Sequence, residues 1–277
     1  MSDQQIIADR ATTSAAKQSE AAESRKSLLD DPRVLGWGSV ALVLAVWEVG
    51  AIATGVNALY LPRPTQIVVA LFNMFYTGGL LTDLLVTLYR IFAGFGIALV
   101  VGTLLGVWIA TSARVRAVAD MWIAALYPLP KVTLIPLLII WLGTGGPFML
   151  TISALGAIFP ILINTVLGVR QCDPGLVLAA RDLGATQRQI IRRVLIPSAI
   201  PSIFAGMRLG LGVSIILVVA AEMVVGKLGL GARLYLAGQI LETEQVFAVL
   251  IVLAALGITV TKIQDAIDVW LGRWRIA

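Results

Sequence analysis

The stretch DPGLVLAARDLGATQRQIIRRVLIP (residues 173–197) is a charged, turn-rich segment between two long apolar stretches of the chain. Asp173 followed by proline is typical of a helix start, because the side chain caps the first turn and proline fits its first position. Gly184 is a helix stop, and Thr186-x-x-Gln189 fits the capping box of a second helix. The pattern predicts two short helices that meet at Gly184, and we call residues 173–197 the elbow segment.

The whole chain is far more apolar than a soluble protein. Its 277 residues are 58% hydrophobic and 13% charged, with a mean hydropathy of +0.92. A soluble domain carries about 25% charged residues. We therefore predict an integral membrane protein whose first partner is the lipid bilayer. The net charge of +5 indicates Lys and Arg on cytoplasmic loops, and nucleic acid is not an expected partner.

The sequence lacks the residues that several kinds of catalytic and metal-binding site require. The sequence has no His and a single Cys172, which excludes a Ser-His-Asp triad, a disulfide within the chain and any His- or Cys-based metal site. No G-x-x-x-x-G-K-[ST] motif is present. We expect no cofactor in this chain, no hydrolysis of ATP by it alone, and no enzymatic activity.

The apolar runs predict an all-α, polytopic membrane helix bundle. Crossing a bilayer core takes about 20 apolar residues, and six runs reach or approach that length. The predicted spans lie near 34–56, 82–110, 118–142, 147–168, 199–222 and 246–270. Residues 1–32 form a polar tail that we predict to be disordered or loosely helical, and 33–277 form the predicted transmembrane domain.

The third predicted span is interrupted by prolines. Pro128, Pro130 and Pro136 break its apolar pattern, which predicts a short amphipathic helix followed by a half-span. Broken helices at membrane depth are tolerated where they line a cavity or are buried in protein.

The Lys and Arg residues set the expected orientation. Five arginines lie in or next to the elbow segment, and further Lys and Arg residues flank both ends of the predicted bundle. The positive-inside rule then places both termini and the loop 170–198 in the cytoplasm. The first apolar run is long enough to span and is expected to stay as an anchor.

Small residues recur four apart within two predicted spans. Gly102-x-x-x-Gly106 and Gly206-x-x-x-Gly210 are patterns that allow two helix backbones to approach closely. They indicate a packed bundle.

Two interpretations of the elbow segment remain open on physical grounds alone. It could be an amphipathic hairpin on the inner leaflet, with its arginines on anionic lipid. It could instead be a docking knob for a cytoplasmic partner. A lipid-surface helix needs no tight turn with caps on both sides, which favours the knob.

The elbow segment resembles the EAA loop of ABC-importer permeases, E-A-A-x3-G-x9-I-x-L-P. Ala179, Ala180, Gly184 and Pro197 match that pattern, whereas Leu178 stands in place of the Glu. The stretches LPRPTQI (61–67), LYPLPKVTLIPLLIIWLGTG (126–145) and GMRLGLGVSIILVVAAEM (206–223) are similar to the sulfonate, taurine and nitrate branch of these permeases.

The resemblance implies the type I importer fold and its division of labour. Two permease subunits, usually a homodimer, form the pore, and an external solute-binding protein delivers the solute. A cytoplasmic ABC ATPase dimer binds ATP and Mg and docks under the loop. The implied coupling residues are Ala179, Ala180, Arg181, Asp182, Gly184 and Pro197.

The expected solute is small and anionic, of the sulfonate, taurine or nitrate class. An aromatic or vitamin-like substrate is the first alternative. A stand-alone secondary transporter is the second, although we find no inverted repeat in the sequence to favour it.

Polar residues within the spans are candidates for the pathway or a gate, because charge in a membrane is costly and usually functional. Arg90 could attract an anion or neutralise a carboxylate, and Glu222 could belong to an outer gate. Arg208 could snorkel to the inner interface. Lys131 could face the pore or the inner surface, and Asn164 is expected to make a helix-packing hydrogen bond.

Overall fold

The computed structural model describes residues 32–272, and every regular element in that range is a helix. This confirms the predicted all-α class, while all but the last residue of the predicted tail 1–32 lies outside the described range. The α-helices in chain order are α1 Pro32–Thr54, α2 Pro64–Tyr76, α3 Leu80–Thr111, α4 Ala113–Leu126, α5 Ile135–Leu142, α6 Gly146–Arg170, α7 Pro174–Asp182, α8 Gln187–Ile190, α9 Ile196–Val225, α10 Leu230–Gln239 and α11 Thr243–Gly272.

Within the described range, five helical segments are long and apolar enough to cross a membrane. A bent pair makes a sixth crossing if its two helices count as one span. The five are Val34–Thr54, Leu80–Thr111, Gly146–Arg170, Gln187–Val225 and Thr243–Asp268. Five or six candidate spans agree with the prediction of about six, and the segment that contains α9 begins 12 residues before the predicted start near residue 199.

The bent pair is the predicted broken span. Helix α4 meets the helical segment Lys131–Leu142, which consists of the 3₁₀ turn Lys131–Leu134 and α5, at 88° across the short break 127–130. Pro128 and Pro130 lie in the break, and proline removes a backbone donor and clashes with the preceding helical turn. The local sequence therefore predicted this feature correctly.

Two shorter helices, α2 and α10, were not predicted, because each is too short to span a membrane and lies between spans.

The chain divides into two compact units after Ile67. In the first unit, the Glu48 carboxylate on α1 accepts from the Thr65 N–H (3.1 Å) and Oγ1 (2.9 Å) at the start of α2. Glu48 thereby satisfies one of the free backbone donors of that helix end.

Helix α6 is the centre of the second unit and packs against both α3 and α9. One core cluster on its first half contains Phe148, Met149, Ile152, Leu217 and Ala221, all of them buried. Two serine hydroxyls cross-link the three helices within the core. Ser214 Oγ donates to the Ser153 carbonyl (2.7 Å), and Ser153 Oγ donates to the Ile91 carbonyl (3.0 Å).

Close helix contacts depend on the predicted small residues. A Cβ placed on Gly106 would lie 2.6 Å from the Thr165 Cβ on α6. A Cβ placed on Gly206 would lie 2.8 Å from the Pro160 carbonyl oxygen. Both small-x-x-x-small patterns therefore mark helix interfaces, as predicted.

Gly94 and Gly96 form a matched pair for testing the α3–α6 interface. A Cβ on Gly94 would come within 2.4 Å of the Ser153 Cβ, whereas a Cβ on Gly96 would meet nothing within 4 Å. We expect Gly94→Ala to lower the free energy of unfolding by about 1–3 kcal/mol, the usual cost of overpacking. Gly96→Ala should leave it unchanged or raise it, because alanine favours the helix. Reversible unfolding in mixed micelles measures both, and equal effects would contradict the packing described.

Candidate functional site

The first half of the elbow segment has the predicted caps. The Asp173 Oδ1 accepts from the Gly175 N–H at 2.8 Å at the start of α7. At the other end Gly184 has a φ of +80°, in the left-handed region that favours glycine. The Ala185 N–H closes the last turn by donating to the Ala180 carbonyl at 3.0 Å. The elbow is therefore a well-defined turn of the backbone.

The second half begins with the predicted capping box. The Thr186 N–H donates to Gln189 Oε1 (2.7 Å), and the Gln189 N–H donates to Thr186 Oγ1 (3.4 Å). The second short helix and the span predicted near 199–222 are not separate, because the helical segment Gln187–Val225 continues past Pro197. A π-helical turn, Ile191–Leu195, precedes the proline and joins α8 to α9. A wider turn adapts the hydrogen-bond ladder to a residue without an N–H.

Helix α7 presents its side chains to the surroundings, and none of its residues is buried. Leu176, Leu178 and Leu183 are exposed, with Leu183 at 88%. These exposed leucines, two on α7 and Leu183 directly after it, leave apolar area for a partner or a membrane to cover. The predicted coupling residues differ in exposure. Ala179, Arg181, Asp182 and Gly184 are exposed, while Ala180 and Pro197 are half-buried.

At the opposite end of α9, Glu222 is a fully buried carboxylate. Arg90 Nη1 on α3 donates to its Oε1 at 2.6 Å. Thr87 Oγ1 lies 2.9 and 3.0 Å from its two oxygens, and the Gly231 N–H donates to Oε2 at 2.9 Å. This carboxylate therefore has partners from α3 and from the start of α10.

A second ion pair lies beside the first. Arg233 Nε on α10 donates to Asp83 Oδ2 at 2.5 Å, and Arg233 also contacts the Gly78 carbonyl. Asp83 Oδ1 accepts from the Gly229 N–H at 2.9 Å. We call the five side chains at this end the distal cluster: Asp83, Thr87, Arg90, Glu222 and Arg233.

The distal cluster replaces a local cap for α10. The Leu230 N–H donates to Thr87 Oγ1 at 2.9 Å, next to the bonds from Gly229 and Gly231. These three backbone donors at the start of the helix would otherwise be buried without acceptors. Gly229 has a φ of +117°, and a Cβ on it would lie 2.4 Å from the Glu222 carboxylate. The glycine-rich turn therefore packs directly against Glu222 and leaves no room for a side chain at Gly229.

The charges of the distal cluster balance, with two carboxylates against two guanidinium groups. Removing one partner of a buried pair leaves an uncompensated charge at a cost of several kcal/mol. Asp83, Thr87 and Arg90 follow an i, i+4, i+7 spacing on one face of α3. That spacing could have identified Asp83 and Thr87 as members of the cluster. No pattern in the sequence pointed to Arg233, because its partner Asp83 lies 150 residues away.

Each of the other predicted pathway residues has a polar partner, either on another helix or close by in its own chain segment. Arg208 on α9 forms an ion pair with Asp265 on α11 and lies 4.0 Å from Asp268. Lys131 donates to the Tyr127 carbonyl at 2.5 Å, with its ammonium 5.0 Å from the Tyr127 ring and 5.3 Å from that of Phe159. Lys131 thus neutralises the C-terminal end of α4 at the break in the third span.

Asn164 differs from its predicted role. Its Nδ2 donates to the Pro160 carbonyl of its own helix at 2.8 Å, instead of bridging two helices. The residue still lies at an interface, because its Cβ faces Gly206 of α9. Among residues 32–272, no group of three or more His, Cys, Asp and Glu side chains could hold a metal ion. The pathway role of these residues stays a prediction.

A helical bundle with a broken span and a capped elbow defines a polytopic membrane protein of the transport-permease class. The chain belongs to the family of binding-protein-dependent transport system inner membrane components, whose model matches residues 102–273. It is the permease component of an ABC importer, as the resemblance predicted.

Relatives with a stated substrate fall into more than one class. The aliphatic sulfonates permease SsuC of Bacillus subtilis is 32% identical and covers 85% of each chain. The taurine permease TauC of Escherichia coli is also 32% identical, covering 79% of this chain and 82% of its own. The riboflavin permease RibX of Chloroflexus aurantiacus is 31% identical, covering 85% and 88%.

Solved structures show the same fold. A chain of the MetNI methionine ABC transporter in an inward-facing conformation superposes with a TM-score of 0.63 at 24% identity. That match covers 71% of this chain and 98% of the other.

The Asp83–Arg233 pair can be tested against a neighbouring cation. Arg233→Met leaves Asp83 buried without its counter-ion, so we expect a loss of about 3–5 kcal/mol in unfolding free energy. Lys227→Met removes the same charge from an exposed residue three positions before the start of α10, and surface changes are usually within about 0.5 kcal/mol. Unfolding of both variants in mixed micelles measures the difference. A loss of the same size for Lys227→Met would contradict the assignment.

Proposed function

We propose that this chain is the pore subunit of an importer in which a partner ATPase drives uptake of a small, anionic solute of the sulfonate and taurine class. The observation that carries the proposal is the continuity between the elbow and the distal cluster. One helical segment, Gln187–Val225, begins two residues after Ala185 and contains Glu222 near its other end. A push on the elbow is thereby delivered to the far end of the bundle.

The length of that segment supports the proposal. Its 39 residues would extend about 58 Å if straight, at about 1.5 Å per residue. The hydrocarbon core is about 30 Å thick, so the helix extends out of the membrane at the elbow end. A helix of that kind carries motion from a soluble partner into the pore without a flexible joint.

The elbow is the proposed docking surface for the ATPase dimer. Ala179 and Ala180 allow close approach, and Leu176, Leu178 and Leu183 offer apolar area. Leu178 places a side chain without charge where the family pattern has Glu, so the contact at that position is apolar. A rigid turn with caps on both sides favours a protein partner over the lipid-surface alternative, because a flat lipid surface gives no use for the turn at Gly184.

The proposed substrate class rests on relatives. The names of SsuC and TauC state aliphatic sulfonates and taurine, which are organic anions or zwitterions with a sulfonate group. One relative is named as a riboflavin permease, so an aromatic, vitamin-like substrate is the second candidate. An external solute-binding protein is the proposed source of selectivity, so the permease itself needs no tight site.

The proposed assembly is a homodimer of this chain in the bacterial inner membrane, with both termini in the cytoplasm. The elbow arginines then lie on the inner side, as the positive-inside rule requires. In this orientation the distal cluster faces outward, and Arg90 with Glu222 holds the outer end of α9 against α3. Lys131, Asn164 and Arg208 are the proposed residues along or beside the pathway.

Gly184→Arg tests the coupling role. A Cβ placed on Gly184 would meet nothing within 4 Å, so the position has room for the start of a side chain. The effects of the substitution are backbone strain at a positive φ, about 1–2 kcal/mol, and a bulky charge on the docking surface. We expect a tagged variant to lose transport. The amount of partner ATPase that co-purifies with it should fall about tenfold or more, which corresponds to a loss of about 1.4 kcal/mol in binding free energy. Its abundance in the membrane should stay normal.

Gly184→Asn is the matched control, because asparagine tolerates the left-handed conformation and carries no charge. This variant should keep most of the ATPase binding and transport. Wild-type uptake by Gly184→Arg at normal abundance would overturn the coupling assignment. A wild-type chain that never co-purifies with an ATPase would favour a stand-alone transporter.

A further inference from the structure

A cavity of about 240 Å³ lies beside the distal cluster. Its walls come from the start of the glycine-rich turn, from α10 and from the first turn of α11, with Asp83 of α3 at one side. The volume is somewhat below the range of about 300–1,000 Å³ that is usual for drug-sized ligands. It exceeds what a single inorganic ion requires and suits a small organic molecule.

The polar wall of this cavity carries a net positive charge. Asp83 and Arg233 both line it, but they neutralise each other through the 2.5 Å ion pair. Lys227 also lines the cavity, and no hydrogen bond or ion pair to its ammonium occurs within residues 32–272. Gln245 lines it too and is held by Glu242, which is not one of the lining residues. One unpaired cation therefore faces the cavity.

The remaining wall is apolar. Leu228, Leu236 and Ile240 line the cavity, and all three side chains are more than half exposed. Exposed aliphatic side chains gain about 25 cal/mol for each Å² that a ligand covers. A charged group at Lys227 and an alkyl chain along the leucines would therefore both be favourable in one ligand.

We propose that this cavity is a binding site for a small amphiphilic organic anion, with its anionic group on Lys227 and its alkyl part on Leu228, Leu236 and Ile240. The distal cluster fixes one wall of the site, because Asp83 and the Gly78 carbonyl hold Arg233 in place. The inference rests on the proposed function, since it places the site at the end of α9 where the solute arrives. It narrows the substrate class towards anions with an apolar chain and away from inorganic ions.

Protection of Lys227 from acetylation tests the site on the full chain alone. The chain is placed in phosphatidylcholine nanodiscs, treated with a water-soluble N-hydroxysuccinimide acetate, and analysed by mass spectrometry. Lys262 is the internal control, because it is exposed and lies near the other end of α11. We expect 1-pentanesulfonate at about ten times its Kd to slow acetylation of Lys227 about tenfold, with no change at Lys262.

Three comparisons define the ligand. Neutral 1-pentanol should give no comparable protection, and inorganic sulfate should bind more weakly than pentanesulfonate. Affinity should rise about two- to fourfold for each methylene from methanesulfonate to pentanesulfonate. Leu236→Gln, a change on an exposed side chain, should reduce that dependence on chain length and leave sulfate binding unchanged.

Each contrary result overturns the proposal. Equal protection of Lys227 and Lys262, equal protection by sulfate, or equal protection by pentanol would remove the amphiphilic anion site. Protection that phosphatidylglycerol discs give without any sulfonate would assign the cavity to a lipid headgroup instead. The assay contains no ATPase and no binding protein, so its failure is distinguishable from a failure of the proposed transport function, which the Gly184 variants test separately.

Discussion

The buried carboxylate of Glu222 is the constraint on which the distal half of this protein depends. A carboxylate with no exposed surface inside a membrane bundle must find a counter-ion and hydrogen-bond donors, since leaving it unpaired costs several kcal/mol. Arg90, Thr87 and the Gly231 N–H meet that need. These groups come from α3 and α10. The hydrogen-bonding needs of Glu222 therefore determine where α10 begins, and they explain why the turn before it is rich in glycine. The adjacent Asp83–Arg233 pair extends the same arrangement.

The same helix connects this cluster to the elbow. Gln187–Val225 runs without a break from the capping box to Glu222, and the π turn before Pro197 carries the helix past a residue that would otherwise end it. The bundle thus has one long element that reaches both ends, with α6 packed along its middle. In the proposed importer, an ATPase acting on the elbow and a solute arriving at the distal end would be linked through this element and the ion pairs that hold it.

The sequence predicted those features whose causes are local. Caps at Asp173 and Thr186, the turn at Gly184 and the proline break in the third span depend on neighbouring residues, and all are present. The continuity of α8 with α9 was missed, since proline reads as a helix end. The expectation that Arg90 could neutralise a carboxylate is met, but its partner Glu222 was not predicted, because the two residues lie 132 residues apart. Sequence spacing fixes which face of a helix a charge lies on, but only the packing of α3, α6 and α9 decides which charges meet.

A double-mutant cycle on Arg90 and Glu222 tests the central claim most directly. The free energy of unfolding is measured in lipid nanodiscs for the wild type, Arg90→Met, Glu222→Gln and the double variant. Arg90→Met alone strands a buried carboxylate and should cost about 3–5 kcal/mol. The double variant should then recover part of that loss, giving a coupling energy within the range of about 0.5–3 kcal/mol found for residues in contact. Losses that simply add, with no coupling between the two positions, would show that Glu222 does not depend on Arg90 and would contradict the account.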